Sequence, residues 1–175
     1  KRVTVEQDNI FGGQLRTRWD MFSLLNHEAP EGCDWLLEAD YLSQRGPLFG
    51  TLTQYDLAVP GLRGRLRGHG AATLLHDDGR DNLGRDRRAL APQDPERGRL
   101  RLEHRQDLPG GFHITGEFGF VSDRNFLEQY YETEFDRDKD YETLIALGGQ
   151  TDVLSFSLLA QPRLNEFETV TEWLP

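Results

Sequence analysis

Arginines at alternate positions are the residues of this chain best suited to binding chemistry. They fall at Arg16 and Arg18, at Arg63, Arg65 and Arg67, and at Arg97, Arg99, Arg101 and Arg105. A guanidinium fork matches the geometry of phosphate and carboxylate oxygens. On an extended strand every second side chain shares a face, so each set makes a cationic row. Arg16, Arg18, Arg63, Arg65, Arg67, Arg99 and Arg101 are the candidates for contact with a phosphorylated ligand. The competing and favoured reading is cross-strand pairing with acids such as Asp34, Glu38 and Asp40, because opposite charges facing each other are ordinary sheet chemistry.

Other reactive side chains assemble into nothing catalytic. Asp77, Asp78, Asp81 and Asp86 offer oxygen ligands, but their spacing departs from the D-x-[DN]-x-[DN]-G calcium pattern and reads as a solvated loop. Glu128, Glu132 and Glu134 lack an accompanying histidine, serine nucleophile or glycine elbow, and read as an acidic helix face. His69, His76, His104 and His113 are dispersed without metal-ligand spacing. Cys33, the single cysteine, has no partner for a disulfide or a CxxC motif. The expectation is a protein with no catalytic residues, no metal and no cofactor. A net charge of -10 excludes a duplex nucleic-acid partner, which needs a basic face.

The elements that carry these rows alternate with a period of two. Leu15, Thr17, Trp19 and Met21 oppose Gln14, Arg16, Arg18 and Asp20 over 14–23. Further strands are predicted at 33–43, 48–57, 62–75, 99–108, 112–121, 140–148, 152–161 and 165–174. Leu-Pro-Gly-Gly at 108–111 and Gly-Gly-Gln-Thr at 148–151 read as turns. The stretch 76–98, rich in Asp, Arg, Gly and Pro, reads as one long exposed polar loop within a single domain spanning 1–175. Over 123–135 the alternation stops, and Asp123 is placed to cap a short helix carrying Phe126, Leu127, Tyr130 and Tyr131. With no crossover helices between strands, the fold class is all-β, an antiparallel up-and-down meander.

Composition, at 37% hydrophobic and 29% charged, does not separate a soluble protein from an outer-membrane one. No apolar run is long enough for a transmembrane helix, which leaves a transmembrane barrel open. The charged faces carry too much charge for an interior, and the opposite faces are apolar. Strands of roughly ten residues, with long loops alternating with short turns, fit a tilted membrane-spanning strand. Trp19, Trp35 and Trp173 are candidates for interfacial aromatic girdles. Because open sheet edges are not tolerated in hydrocarbon, the chain is expected to be part of a larger closed barrel and of a longer protein. The alternative is a soluble all-β carbohydrate-binding module using Trp35 and Tyr41.

Several phrases resemble a known family. They are ADYLSQRGP at 39–47 followed by Phe49 and Gly50, GRDNLGR at 79–85, and GFVSDRNFLE at 119–128 continuing to Tyr141, Glu142 and Thr143. In this order they resemble the LptD (OstA) family, the lipopolysaccharide-assembly β-barrels of the outer membrane, over roughly 35–175, the third phrase being the more specific. The resemblance implies part of a large barrel in the outer membrane of a Gram-negative-type bacterium. It implies transport of lipopolysaccharide or a related glycolipid into the outer leaflet, with outer-membrane lipid around the barrel, a lipoprotein plug inside it and periplasmic bridge proteins feeding it. The family's periplasmic domain and its cysteine pairs have no counterpart here, so gate and lipid-entry residues cannot be carried over.

Overall fold

The computed structural model describes residues 1–58, 64–84, 87–137 and 141–165. In chain order the elements are β1 (Arg2–Asp8), β2 (Gly12–Asp20), α1 (Met21–Leu24), β3 (Cys33–Leu42), β4 (Gly46–Ala58), β5 (Arg65–His76), β6 (Asp81–Asn82), β7 (Arg88–Leu90), β8 (Glu96–Asp107), a 3-10 turn (Pro109–Gly111), β9 (Phe112–Val121), α2 (Phe126–Tyr130), α3 (Glu132–Arg137), β10 (Leu144–Gln150) and β11 (Ser155–Ala160). Nine of the strands form one sheet in the order β1-β2-β3-β4-β5-β8-β9-β10-β11, each antiparallel to its neighbour. It is an up-and-down meander that does not close as a barrel. The hairpin β6–β7 stands apart from it.

Register sorts every side chain onto one of two faces. Rows such as Arg18, Glu38, Gly50, Thr73 and Arg99 define the polar face, and rows such as Trp35, Thr53, Gly70, Leu102 and Phe118 the apolar one. The core lies on the polar side. At one end of that face the alternation delivers Leu42, Leu48, Leu75 and Val121 inward, and the β9–β10 connection crosses over them with Phe126, Leu127, Tyr130, Tyr131 and Tyr141. This end is the strap end; the other is the open end. On the apolar face many of the large side chains stay exposed, at 57% for Phe49, 67% for Leu158 and 78% for Val5. No second layer of the described residues covers it.

Several boundaries differ from the sequence expectation for identifiable reasons. Residues 2–8 form a strand that the sequence reading omits, in which only Val3 and Val5 supply the apolar side. The expected strand 140–148 starts at Leu144 and runs to Gln150. Gly148 and Gly149 therefore lie inside it rather than in a turn. Their lack of a side chain makes room for rings: a Cβ on Gly149 would meet Phe112 and Phe156 at 2.6 Å, and one on Gly148 would meet His113 at 2.5 Å. The turn falls at 151–154 instead, closed by Thr151 N–H donating to the Leu154 carbonyl at 2.7 Å. Of the expected strand 165–174, only Asn165 lies among the described residues, and Trp173 lies outside them.

The helix expected over 123–135 is two short helices, interrupted at Tyr131. Asp123 is not its cap; Asn125 holds that position without a side-chain bond. The Asp123 carboxylate instead accepts from the Asn125 amide at 3.0 Å and from Arg97 at 2.9 Å. The long loop is likewise not fully exposed, since Asp77, Asp81 and Leu83 are buried against the polar face. Leu75, with no exposed surface, anchors the core beneath this strap. Leu75→Ala should therefore cost about 2–5 kcal/mol, read as a fall in the midpoint of chemical unfolding; a loss no larger than that of an exposed site, about 0.5 kcal/mol, would place the core elsewhere.

Candidate functional site

The polar face carries the expected site residues, but in three separate places rather than one. Arg16 and Arg18 lie in the open on β2. Arg16 donates to Gln14 at 2.9 and 2.7 Å, and Arg18 reaches Glu38 through Nε at 3.0 Å. Arg65 and Arg67 lie at the open end, paired with Asp56 and Asp107, each at 2.8 Å. Arg63 is outside the described residues. Arg99 and Arg101 lie beneath the strap: Arg99 meets Glu134, the Tyr141 hydroxyl at 2.8 Å and the Tyr131 ring at 3.4 Å, while Arg101 reaches Glu103 at 2.7 Å and Glu134 at 3.1 Å.

Of the acids expected to answer these rows, Glu38 pairs with Arg18, and Asp40 accepts from the Thr17 amide at 2.9 Å. The partners of Arg65 and Arg67 are other carboxylates. Charge pairing on this face thus runs both across strands and within them, as at Arg105 and Asp107.

A buried knot at the strap end was not anticipated. Arg97, at the start of β8, donates to Asp77 at 2.7 Å, to Asp81 at 2.6 and 3.2 Å, and to both oxygens of Asp123 at 2.9 Å. Arg45, in the β3–β4 turn, lies 3.4 Å from Asp77 and 3.7 Å from Asp81. Tyr130 donates to Asp77 at 2.7 Å, and its ring lies 5.7 Å from Arg45 and 5.6 Å from Arg97. Arg45, Arg97, Asp77 and Asp81 are each at most 2% exposed.

Burying two guanidiniums and two carboxylates carries a large desolvation cost, offset here because the charges alternate and their polar atoms are bonded. The knot joins segments far apart in sequence: the β3–β4 turn, the β5–β8 connection and the β9–β10 connection. Asn82 N–H also donates to the Gln129 side chain at 2.6 Å, tying the hairpin to α2. The sequence signal was present in another form, since Arg45, Asp81 and Asp123 belong to the three phrases at 39–47, 79–85 and 119–128. Arg97 was visible only as a member of a row.

The remaining candidates scatter. Asp78 is exposed beside His76, and Asp86 is outside the described residues. Glu128 pairs with Arg87 at 2.6 Å, His69 with Glu103 at 3.3 Å, and His104 with the Tyr55 hydroxyl at 2.7 Å. No group of three or more His, Cys, Asp or Glu side chains among the described residues is placed to hold a metal. Trp35 and Tyr41 lie six residues apart at opposite ends of β3; the Trp35 indole donates to Thr51 at 2.8 Å and its ring meets Phe22 edge-on.

Troughs open on the polar face. One of about 540 Å³ lies toward the open end, between Gln54, Arg67, His69, Arg105, Thr115 and Glu117, and another lies between β1, β2 and β3. The arrangement is a charged, water-accessible wall, closed at one end by the strap and accessible at the other. Comparison with family models, with curated proteins and with solved structures returned no match.

The knot makes the strap sensitive to acid. Burial alone would raise the Asp77 carboxyl, but bonds from Tyr130, the Gly79 amide and Arg97 outweigh it and hold it below its ordinary value. Glu134 is lowered in the same way by Tyr141 and Arg99 against its own burial. A carboxylate lowered in the folded state contributes stability above its unfolded pKa, near 4, and loses it as pH falls further. Strap amides such as Gln129 and Tyr131 should lose hydrogen-exchange protection below about pH 4, after correction for intrinsic exchange. Asp81→Asn should loosen the strap already at neutral pH, at a cost of about 3–5 kcal/mol; unchanged protection in the variant would mean that the knot does not hold it.

Proposed function

We propose that this chain is a wall segment of an outer-membrane β-barrel translocon in a Gram-negative-type bacterium, moving lipopolysaccharide or a related glycolipid toward the outer leaflet. The observation that carries this reading is the bare apolar face. A sheet in water hides its apolar side and wets its polar side; here the core formed by the described residues sits on the polar side, and Val5, Phe49 and Leu158 face outward. Hydrocarbon is the surrounding that such a face fits, with the charged side lining an aqueous lumen.

Aromatic placement supports the same reading. Trp35 and Tyr41 on β3, Phe49 and Tyr55 on β4, and Phe112 and Phe118 on β9 are pairs on the apolar face, each six residues apart, or about 20 Å along a strand. From strand to strand the pairs step toward the open end, as tilted strands require if the rings are to stay level with two interfaces. Between the rings lie small and aliphatic residues such as Leu37, Ala39, Thr51 and Thr53. The convergence of the three family-like phrases on one knot supports the resemblance to the LptD family, because phrases that meet in space share a structural reason.

In this role the chain guides rather than catalyses. Ion pairs on the lumen face present donors and acceptors to a sugar and phosphate head, while the acyl chains stay on the lipid side. The lipoprotein plug and periplasmic bridge that the resemblance implies would supply partners and energy. Leu102 and His69 lie on adjacent strands and opposite faces. Nitroxide labels at Leu102→Cys and His69→Cys, in a Cys33→Ser background of the full-length protein in bilayers, should respond to a lipid-soluble quencher at the first and a water-soluble one at the second. Equal aqueous access at both positions would sink the membrane reading.

A further inference from the structure

We infer that Arg67, Arg105 and Thr115 form an oxyanion site at the open end of the polar trough, of the size and with the hydrogen-bond donors to take a phosphate monoester. Register sets Arg67 directly opposite Arg105, and Arg105 directly opposite Thr115. Like charges facing each other across a sheet are destabilising and persist where something compensates them. The protein supplies one carboxylate for the two: Asp107 takes Arg67 at 2.8 Å and Arg105 at 3.1 Å.

That compensation is partial. A guanidinium has five N–H donors, and among the described residues each of these two arginines has a single hydrogen bond, the one to Asp107. Neighbouring acids are committed. Asp56 holds Arg65 at 2.8 Å, and Glu103, in the next row, is held by Arg101 at 2.7 Å and faces His69 at 3.3 Å. Glu117 also lines the trough and is itself engaged, so what Arg67 and Arg105 offer there is unfilled N–H donors rather than a net positive charge. Those donors face the trough of about 540 Å³, with Arg67 and Arg105 roughly half exposed. A tetrahedral oxyanion there can accept from both forks and from the Thr115 hydroxyl. The site needs only a water-filled trough and stands independently of the membrane reading.

The test is titration of the full chain in detergent, following the arginine Nε–H signals by NMR. Methyl phosphate in solution probes a free ester, and micelles doped with phosphatidic acid probe a lipid headgroup. Shifts of Arg67 and Arg105 in either arm support the site and identify the source; no shift in both arms overturns it. Arg67→Gln and Arg105→Gln should each weaken binding about tenfold, the loss of one charge-assisted hydrogen bond, while Arg88→Gln on β7 leaves it unchanged. Asp107→Asn removes the internal competitor and should strengthen binding, whereas a purely structural ion pair would show no gain. Unchanged affinity in Arg67→Gln, or a weakening in Asp107→Asn, would refute the assignment.

Discussion

A strand sends consecutive side chains to opposite sides, so the surroundings of about half the residues in a sheet are decided together by one register. Here nine strands agree on which side is apolar, and no second layer of the described residues covers that side. Every other feature follows from this constraint. The core has to form on the wet face, the connections have to fold back over that face to make it, and the aromatic side chains are left to meet whatever surrounds the sheet.

The knot at the strap end explains how a charged face acquires a core at all. Leu42, Leu48, Leu75 and Val121 alone would be a shallow apolar patch beside arginines. Laying α2 and α3 over them brings in Phe126, Tyr130 and Tyr131, but it also takes Arg97 and Arg99 out of water. Those two cations are paired with acids carried on the connections themselves, Asp77, Asp81 and Asp123 for Arg97 and Glu134 for Arg99, while the buried Arg99 Nε has no hydrogen-bond partner among the described residues. Ring faces of Phe126, Tyr130 and Tyr131 complete their surroundings through cation–π contact. Apolar burial and ion pairing are therefore one structure, in which removing either half leaves the other uncompensated.

What was legible in the sequence was whatever depends on alternation. Strand 112–121 was placed at its observed bounds, the meander was read from the absence of crossovers, and the rows at Arg65 and Arg67 fell on the face assigned to them. What was not legible depends on contacts between distant segments. Nothing local distinguishes Asp81 in a solvated loop from Asp81 at zero exposure against Arg97. Gly148 and Gly149 carry a turn's composition, and only the rings of His113, Phe112 and Phe156 reveal that they serve close approach instead. Asp123 resembles a helix cap because the same short carboxylate suits both a cap and an arginine.

The edges carry the remaining logic. Strands that alternate in direction across an odd-numbered sheet leave β1 and β11 running the same way, each with one unpaired edge among the described residues. Closing this sheet on itself would require a parallel pair between them, whereas closure by antiparallel pairing needs an odd number of additional strands. On β11, Leu158 on one face and Leu159 on the other are both exposed, so this edge strand is uncovered on both faces by the described residues. In the lipid surroundings proposed for the outer face, bare N–H and C=O groups along such an edge would each cost several kcal/mol. On the proposal of a lipid-facing outer side, the exposed apolar face and the open edges would be met by the same completion, further strands that pair every backbone group at membrane depth.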